Sequence, residues 1–129
     1  PAGKKAQYHA ALAIASNYMV TLYAVAQDLL SDLSDDEAAI QQALITLMSG
    51  TTHNLIEHGV PDALTGPLVR ADVGTIEKHL IALFENPLLY ETYINLAKLS
   101  YPMLQARGTD IDTIEKLFRQ DNRHATDNS

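Results

Sequence analysis

The run Ala63-Leu64-Thr65-Gly66-Pro67-Leu68-Val69-Arg70-Ala71-Asp72-Val73-Gly74-Thr75 contains the residue types and spacing best suited to chemistry in this chain. A glycine-bearing loop that feeds a helix N-terminus presents backbone N–H groups and the positive end of the helix dipole. Those are the ingredients of a carboxylate or phosphate site. Arg70 adds a guanidinium able to grip a carboxylate with two parallel hydrogen bonds. Thr65, Gly66 and Pro67 give the loop a defined shape, since glycine permits unusual dihedrals and proline fixes one. Asp72, Thr75 and His79 follow at spacings that put them on one helix face, where Asp72 can orient His79 or move its pKa. The same residues also read as a capped helix after a tight loop, with a surface arginine and a solvated histidine.

A second candidate lies near the N-terminus. His9, Ser16 and Tyr23 stack on one side of a helical wheel, with Asn17 alongside, and His9 could give or take a proton there. Buried polar groups satisfied by neighbouring helices would make the same stripe. No metal site is expected. His53 and His58 point about 140° apart on a helix, and neither an HExxH pattern nor a four-ligand zinc pattern occurs. The chain also lacks GxSxG, P-loop and GxGxxG motifs.

Helices must position these residues. From about Lys5 to Leu33 there is neither proline nor glycine, and Ala11, Ala15, Tyr18, Leu22, Val25 and Leu29 form one apolar face. No charge falls between Lys5 and Asp28, so both sides of this helix are expected to be covered, one of them by a second subunit. Its polar residues would be costly in lipid, which argues against a membrane span. Ser34-Asp35-Asp36-Glu37 forms a capping box with Ser34 as N-cap, ahead of a helix that ends at Gly59. A connection runs from Val60 to Ala71, and the next helix reaches Phe84 with Ile76, Leu80, Leu83 and Phe84 inward. Asn86-Pro87 opens another, whose core stripe reads Leu89, Tyr93, Leu96 and Leu99. Pro102 kinks or ends it, and the pattern resumes to Ala106 before Gly108. A last helix from about Asp110 to Arg119 turns Ile111, Ile114, Leu117 and Phe118 inward. The fold class is therefore all-α, with about five or six helices in one domain over residues 1–120, followed by a polar tail over 121–129.

Composition narrows the function. With 9 Lys and Arg against 16 Asp and Glu, the net charge of −7 argues against nucleic acid or an anionic membrane surface as the main partner. The absence of cysteine removes disulfides and thiolate metal sites, and with no signal peptide in view a cytoplasmic location is expected.

Tyr8-His9-Ala10-Ala11 and Ala15-Ser16-Asn17-Tyr18 open an ordered set of motifs. Gly50-Thr51 with Asn54, Ala63-Leu64-Thr65-Gly66-Pro67, Arg70-Ala71-Asp72, Thr75, Glu77, His79 and Leu80 continue it. Over roughly residues 4 to 107 this set resembles the helical C-terminal half of the Rossmann-like proteins catalogued as domain of unknown function 2520. The resemblance implies a bundle like the C-terminal domains of 6-phosphogluconate dehydrogenase, ketopantoate reductase and pyrroline-5-carboxylate reductase. In such proteins a Rossmann domain binds NAD(P), while the helical domain contacts substrate and forms a homodimer. Thr65-Gly66-Pro67 is similar in placement to a substrate-carboxylate loop of the pyrroline-carboxylate reductases, with Gly66 for serine and Leu68 where that family has glycine. No lysine matches the catalytic one of ketopantoate reductases.

The reading that follows is a substrate-binding and dimerisation domain of an NAD(P)-dependent oxidoreductase, acting on a small carboxylate-bearing molecule. Its N-terminal Rossmann domain is absent from this chain, so the isolated domain is expected to be inactive and to hold no cofactor itself. His9, Asn17 and His79 are the candidate catalytic groups; Thr65, Gly66, Pro67, Arg70, Asp72 and Thr75 are the candidate substrate contacts. The alternative is a non-catalytic helical dimer that serves as a sensor or scaffold.

Overall fold

The computed structural model describes residues 2–127, with side chains through residue 120. Helices make up most of the described residues and no strand occurs among them, as expected for an all-α chain. Two compact units divide it, Pro1–His53 and Asn54–Ser129.

The first unit is built on α1, Ala2–Ser31. By length and composition α1 could cross a membrane, with a mean hydropathy of 1.2 over its most apolar window. His9, Ser16, Asn17, Thr21 and Gln27 interrupt that apolar character. One turn, Ala13–Asn17, is π-helical, and the Tyr18 N–H donates to the Ala13 carbonyl five residues back. α2, Glu37–His58, follows. Its N-cap is Asp36, whose Oδ1 accepts from the Ala39 N–H at 3.0 Å, and not Ser34 as the capping-box pattern suggested. Ser34 Oγ instead accepts from the Asp36 N–H at 3.2 Å and shapes the turn ahead of the helix. Several cap-forming residues in a row make the start ambiguous in sequence. Gly50 leaves α2 unbroken, and nothing stands within 4 Å of where a Cβ would be. Burial is sparse in this unit: Ile40 and Leu44 are its buried hydrophobics.

The second unit holds the main core. Its helices are α3, Val73–Leu83, α4, Pro87–Leu99, α5, Tyr101–Ala106, and α6, Ile111–Asp127. Asn86 caps α4 through a hydrogen bond from the Leu89 N–H at 3.2 Å, with Pro87 in the first turn. Ser100 and Pro102 separate α5 from α4. α6 runs past Arg119 to Asp127, and the expected polar tail over 121–129 lies outside the residues whose side chains are described. Ile76 and Leu80 from α3 meet Ile94, Leu104, Ile114 and Phe118 in a fully buried cluster.

One stripe differs from its expected register. Tyr90, Ile94 and Ala97 are the buried residues of α4, while Leu96 is 42% and Leu99 76% exposed. The two stripes sit one residue, about 100°, apart and satisfy helical periodicity equally well. Tyr90 enters the core and meets Phe84 edge-on at 5.9 Å between ring centroids, while Phe84 itself, expected inward, is 43% exposed at the end of α3. Urea unfolding tests this register: Ile94→Ala is expected to cost roughly 2–5 kcal/mol, and Leu99→Ala less than about 0.5 kcal/mol.

Candidate functional site

The loop ahead of α3 is fixed by local backbone chemistry. Gly59, at φ 63°, ends α2 by donating its N–H to the Leu55 carbonyl at 2.9 Å. A turn follows in which Ala63 N–H donates to Gly59 O at 2.9 Å and Leu64 N–H to Pro61 O at 3.1 Å. Gly66 takes φ 99°, as a loop glycine can and other residues rarely do. Pro67–Arg70 then forms one turn, closed by the paired bonds of a helix end: Asp72 N–H to Pro67 O at 2.9 Å and Ala71 N–H to Leu68 O at 3.1 Å. Ala71, not a glycine, occupies the left-handed position at φ 50°.

Asp72 is the N-cap of α3. Its carboxylate accepts from the Thr75 N–H at 3.2 Å and from Thr75 Oγ1 at 2.7 Å. The Thr75 side chain, then the Thr75 backbone, hold its carboxyl below the usual carboxylate range. The helix N-terminus expected to offer free N–H groups to a ligand therefore carries the chain's own carboxylate. Thr65 and Arg70 are exposed beside it, and Gly66 and Pro67 are half-buried.

Two residues outside the expected set hold this loop. Arg107 Nη1 donates to the carbonyls of Leu64 at 2.5 Å, Asp62 at 3.4 Å and Pro61 at 3.5 Å. Thr109 Oγ1 donates to Val69 O at 2.8 Å. Contacts across about forty positions leave no periodic trace; a basic residue ahead of Gly108 marks a helix end and nothing more.

His79 meets Tyr93, not Asp72. His79 Nδ1 and Tyr93 Oη stand 2.9 Å apart, with the rings edge to face at 5.9 Å. Burial raises the Tyr93 pKa above that of a free phenol, so the hydroxyl stays protonated at neutral pH. The coupling expected between Asp72 and His79 is thus replaced by two separate pairs, because Thr75 lies one turn from Asp72 and takes both carboxylate oxygens. Tyr93, expected in the core stripe of α4, is partly buried against the core and carries this polar contact as well. Tyr101 Oη also donates to Glu115 Oε1 at 2.5 Å; burial first, then that carboxylate, pushes the Tyr101 pKa up.

In the first unit, His9, Ser16 and Asn17 line one shallow, open concavity with Leu12, Ala13 and Ala15. Tyr23, expected on the same stripe, lines a different groove with Met19 and Val20, facing Gln41, Ile45 and Met48 of α2. Tyr23 lies two turns beyond Ser16, roughly 10 Å further along α1, and so reaches a different stretch of surface; the π turn at Ala13–Asn17 adds a change of phase. A turn that closes over five residues shifts every later residue off the 100° wheel. His9 and Asn17 form one cluster in the first unit; Thr65–Thr75 form another in the second, which also holds the separate His79–Tyr93 pair. Among the described residues no three His, Asp or Glu side chains stand close enough to hold a metal ion. Without a strand, they also build no strand–turn–helix cradle for a dinucleotide.

The left-handed positions allow a direct check. Gly108, at φ 78°, closes α5 with the same bond pair, Thr109 N–H to Leu104 O at 3.0 Å and Gly108 N–H to Gln105 O at 3.1 Å. A left-handed non-glycine residue costs roughly 1–2 kcal/mol, partly offset by the greater chain entropy that glycine loses. Ala71→Gly is expected to stabilise by roughly 0–1 kcal/mol and Gly108→Ala to destabilise by about 1 kcal/mol in thermal unfolding. Destabilisation by Ala71→Gly would mean that a side-chain contact at residue 71 outweighs its backbone strain.

A family model described as Domain of unknown function (DUF2520) matches residues 1–100. No curated protein and no solved structure matches the chain. The family match extends from α1 through α4 and takes in both clusters, and the chain accordingly belongs to that family.

Proposed function

We propose that this chain is the substrate-binding and dimerisation part of a cytoplasmic, NAD(P)-dependent oxidoreductase that acts on a small carboxylate-bearing molecule. The observation that carries the carboxylate reading is the Thr65–Arg70 loop. Its backbone is fixed, yet it exposes a hydroxyl and a guanidinium to solvent. Fixed loops that expose polar groups are where rigid scaffolds place binding residues. Arg70 supplies the charge and the two-pronged geometry for a carboxylate, and Thr65 a hydroxyl. Asp72 and Thr75 contribute by capping the helix that holds Arg70 in place, and Gly66 and Pro67 by shaping the loop. His79, held by Tyr93, and His9 with Asn17 are the groups able to pass a proton. The nicotinamide component rests on the motif resemblance; a dinucleotide would have to be bound by residues other than those described.

Dimerisation is supported by the first unit. Eleven large hydrophobics in it are exposed, from Tyr8 to Leu47, against two buried ones, Ile40 and Leu44. Apolar surface on that scale marks an interaction site. The uncharged run between Lys5 and Asp28 suits a second copy of the same surface.

A sensor or scaffold is the second reading, favoured by Asp72, whose carboxylate already occupies the helix end that an anion would otherwise take. Titration calorimetry of the native polypeptide with acetate, pyruvate, malonate and succinate, with and without NADPH, addresses both. We expect binding that Arg70→Ala weakens tenfold or more, and oxidation of NADPH by pyruvate, the panel member whose keto group can accept the hydride. An unchanged affinity in Arg70→Ala removes that residue from the site, and NADPH binding without turnover favours the sensor.

Light scattering at tens of micromolar is expected to give twice the chain mass, and Leu22→Glu to return the monomer. A monomeric mass for the wild type would count against the dimer.

A further inference from the structure

We propose that Arg107 and Thr109 act as a clip that positions the Thr65–Arg70 loop for its ligand, an inference that rests on the carboxylate reading above. Both ends of the short segment between Leu64 and Val69 are tied to one corner of the fold. Arg107 gathers the carbonyls of Pro61, Asp62 and Leu64 at one end, and Thr109 holds the carbonyl of Val69 at the other. Loop ends held two residues apart on one support leave the intervening backbone little freedom to drift.

The support is itself rigid. Leu104 is fully buried, and its carbonyl accepts from the N–H groups of Arg107 at 3.1 Å and Thr109 at 3.0 Å. Immediately beyond, Asp110 caps α6 by accepting from Thr113 Oγ1 at 2.6 Å, and that bond holds its carboxyl below the usual range. The corner is therefore fastened to the core on one side and to a helix start on the other.

The chemistry of the clip matters as much as its position. Each of its bonds goes to a carbonyl, so it takes up none of the loop's N–H donors. The guanidinium of Arg107 gives these carbonyls charge-assisted hydrogen bonds. Arg70 follows Val69 directly, so the hydroxyl of Thr109 is one peptide unit from the residue that would grip the ligand. Neither residue needs to touch the ligand.

The test uses the native polypeptide and two readouts, amide hydrogen exchange over 65–71 and calorimetric titration with the four carboxylates named above. Arg107→Ala and Thr109→Val are expected to speed exchange in that segment tenfold or more and to weaken carboxylate binding by a similar factor. Thr109→Ser keeps the hydroxyl and should restore both, while far-UV circular dichroism stays constant across the set. Unchanged exchange in Arg107→Ala and Thr109→Val overturns the clip. Faster exchange with unchanged affinity overturns its positioning role and leaves the carboxylate reading standing. If the wild type binds no member of the panel, the carboxylate reading and the positioning role fall together, and exchange alone then decides whether the clip holds the loop.

Discussion

A helix that stops leaves carbonyl oxygens in need of donors, and around the second unit's loop this requirement governs the path of the chain. At Gly59, Ala71 and Gly108 the backbone turns left-handed so that the next N–H groups can reach back to those oxygens. At the turn over Pro61–Leu64 the guanidinium of Arg107, from a distant part of the sequence, serves the carbonyls of Asp62 and Leu64 and shares that of Pro61 with the Leu64 N–H. Each stop is followed by a start: Asp72, Asn86 and Asp110 supply side-chain oxygens to the first N–H groups of α3, α4 and α6. The loop that exposes Thr65 and Arg70 is shaped by these obligations, whatever it binds.

The same obligations set charge states. Asp72 is held ionised by its hydrogen bonds to Thr75, so the start of α3 carries a fixed negative charge beside Arg70. Tyr93 and Tyr101 are held protonated by burial, and for Tyr101 the carboxylate of Glu115 reinforces it. Around neutral pH these groups keep one state each. His79 Nδ1 is bonded to one of these hydroxyls, that of Tyr93.

What was legible in the sequence was what is local. Gly59, the Asn86-Pro87 pair, Gly108 and Asp110 each act within a few residues, so their types and order declare the helix ends. Ser34 and Asp36 show the limit of that logic, since adjacent residues can each cap and the geometry chooses one. The α4 register is ambiguous in sequence because two neighbouring faces are apolar, Leu89, Tyr93, Leu96 and Leu99 on one and Tyr90, Ile94 and Ala97 on the other, and the second enters the core. The clip by Arg107 and Thr109 joins residues up to 46 positions apart and has no local signature at all. The residue types of the candidate loop, Arg70 among them, are visible in the sequence; the loop's supports, and the partner of His79, emerge only in three dimensions.

The π turn of α1 has a consequence of its own. A helix of uniform pitch can mesh along its whole length with any partner whose side chains repeat at the same interval. α1 slips phase between Ala13 and Asn17, so the ridges before and after that turn do not line up. A straight, regularly repeating partner can interlock with one half and then meets the other out of step. Only a partner with a matching discontinuity at the same level engages both halves, in the manner of a key cut with an offset notch. A single irregular turn thereby gives an otherwise sticky, uncharged helix a means of refusing most of the helices it meets.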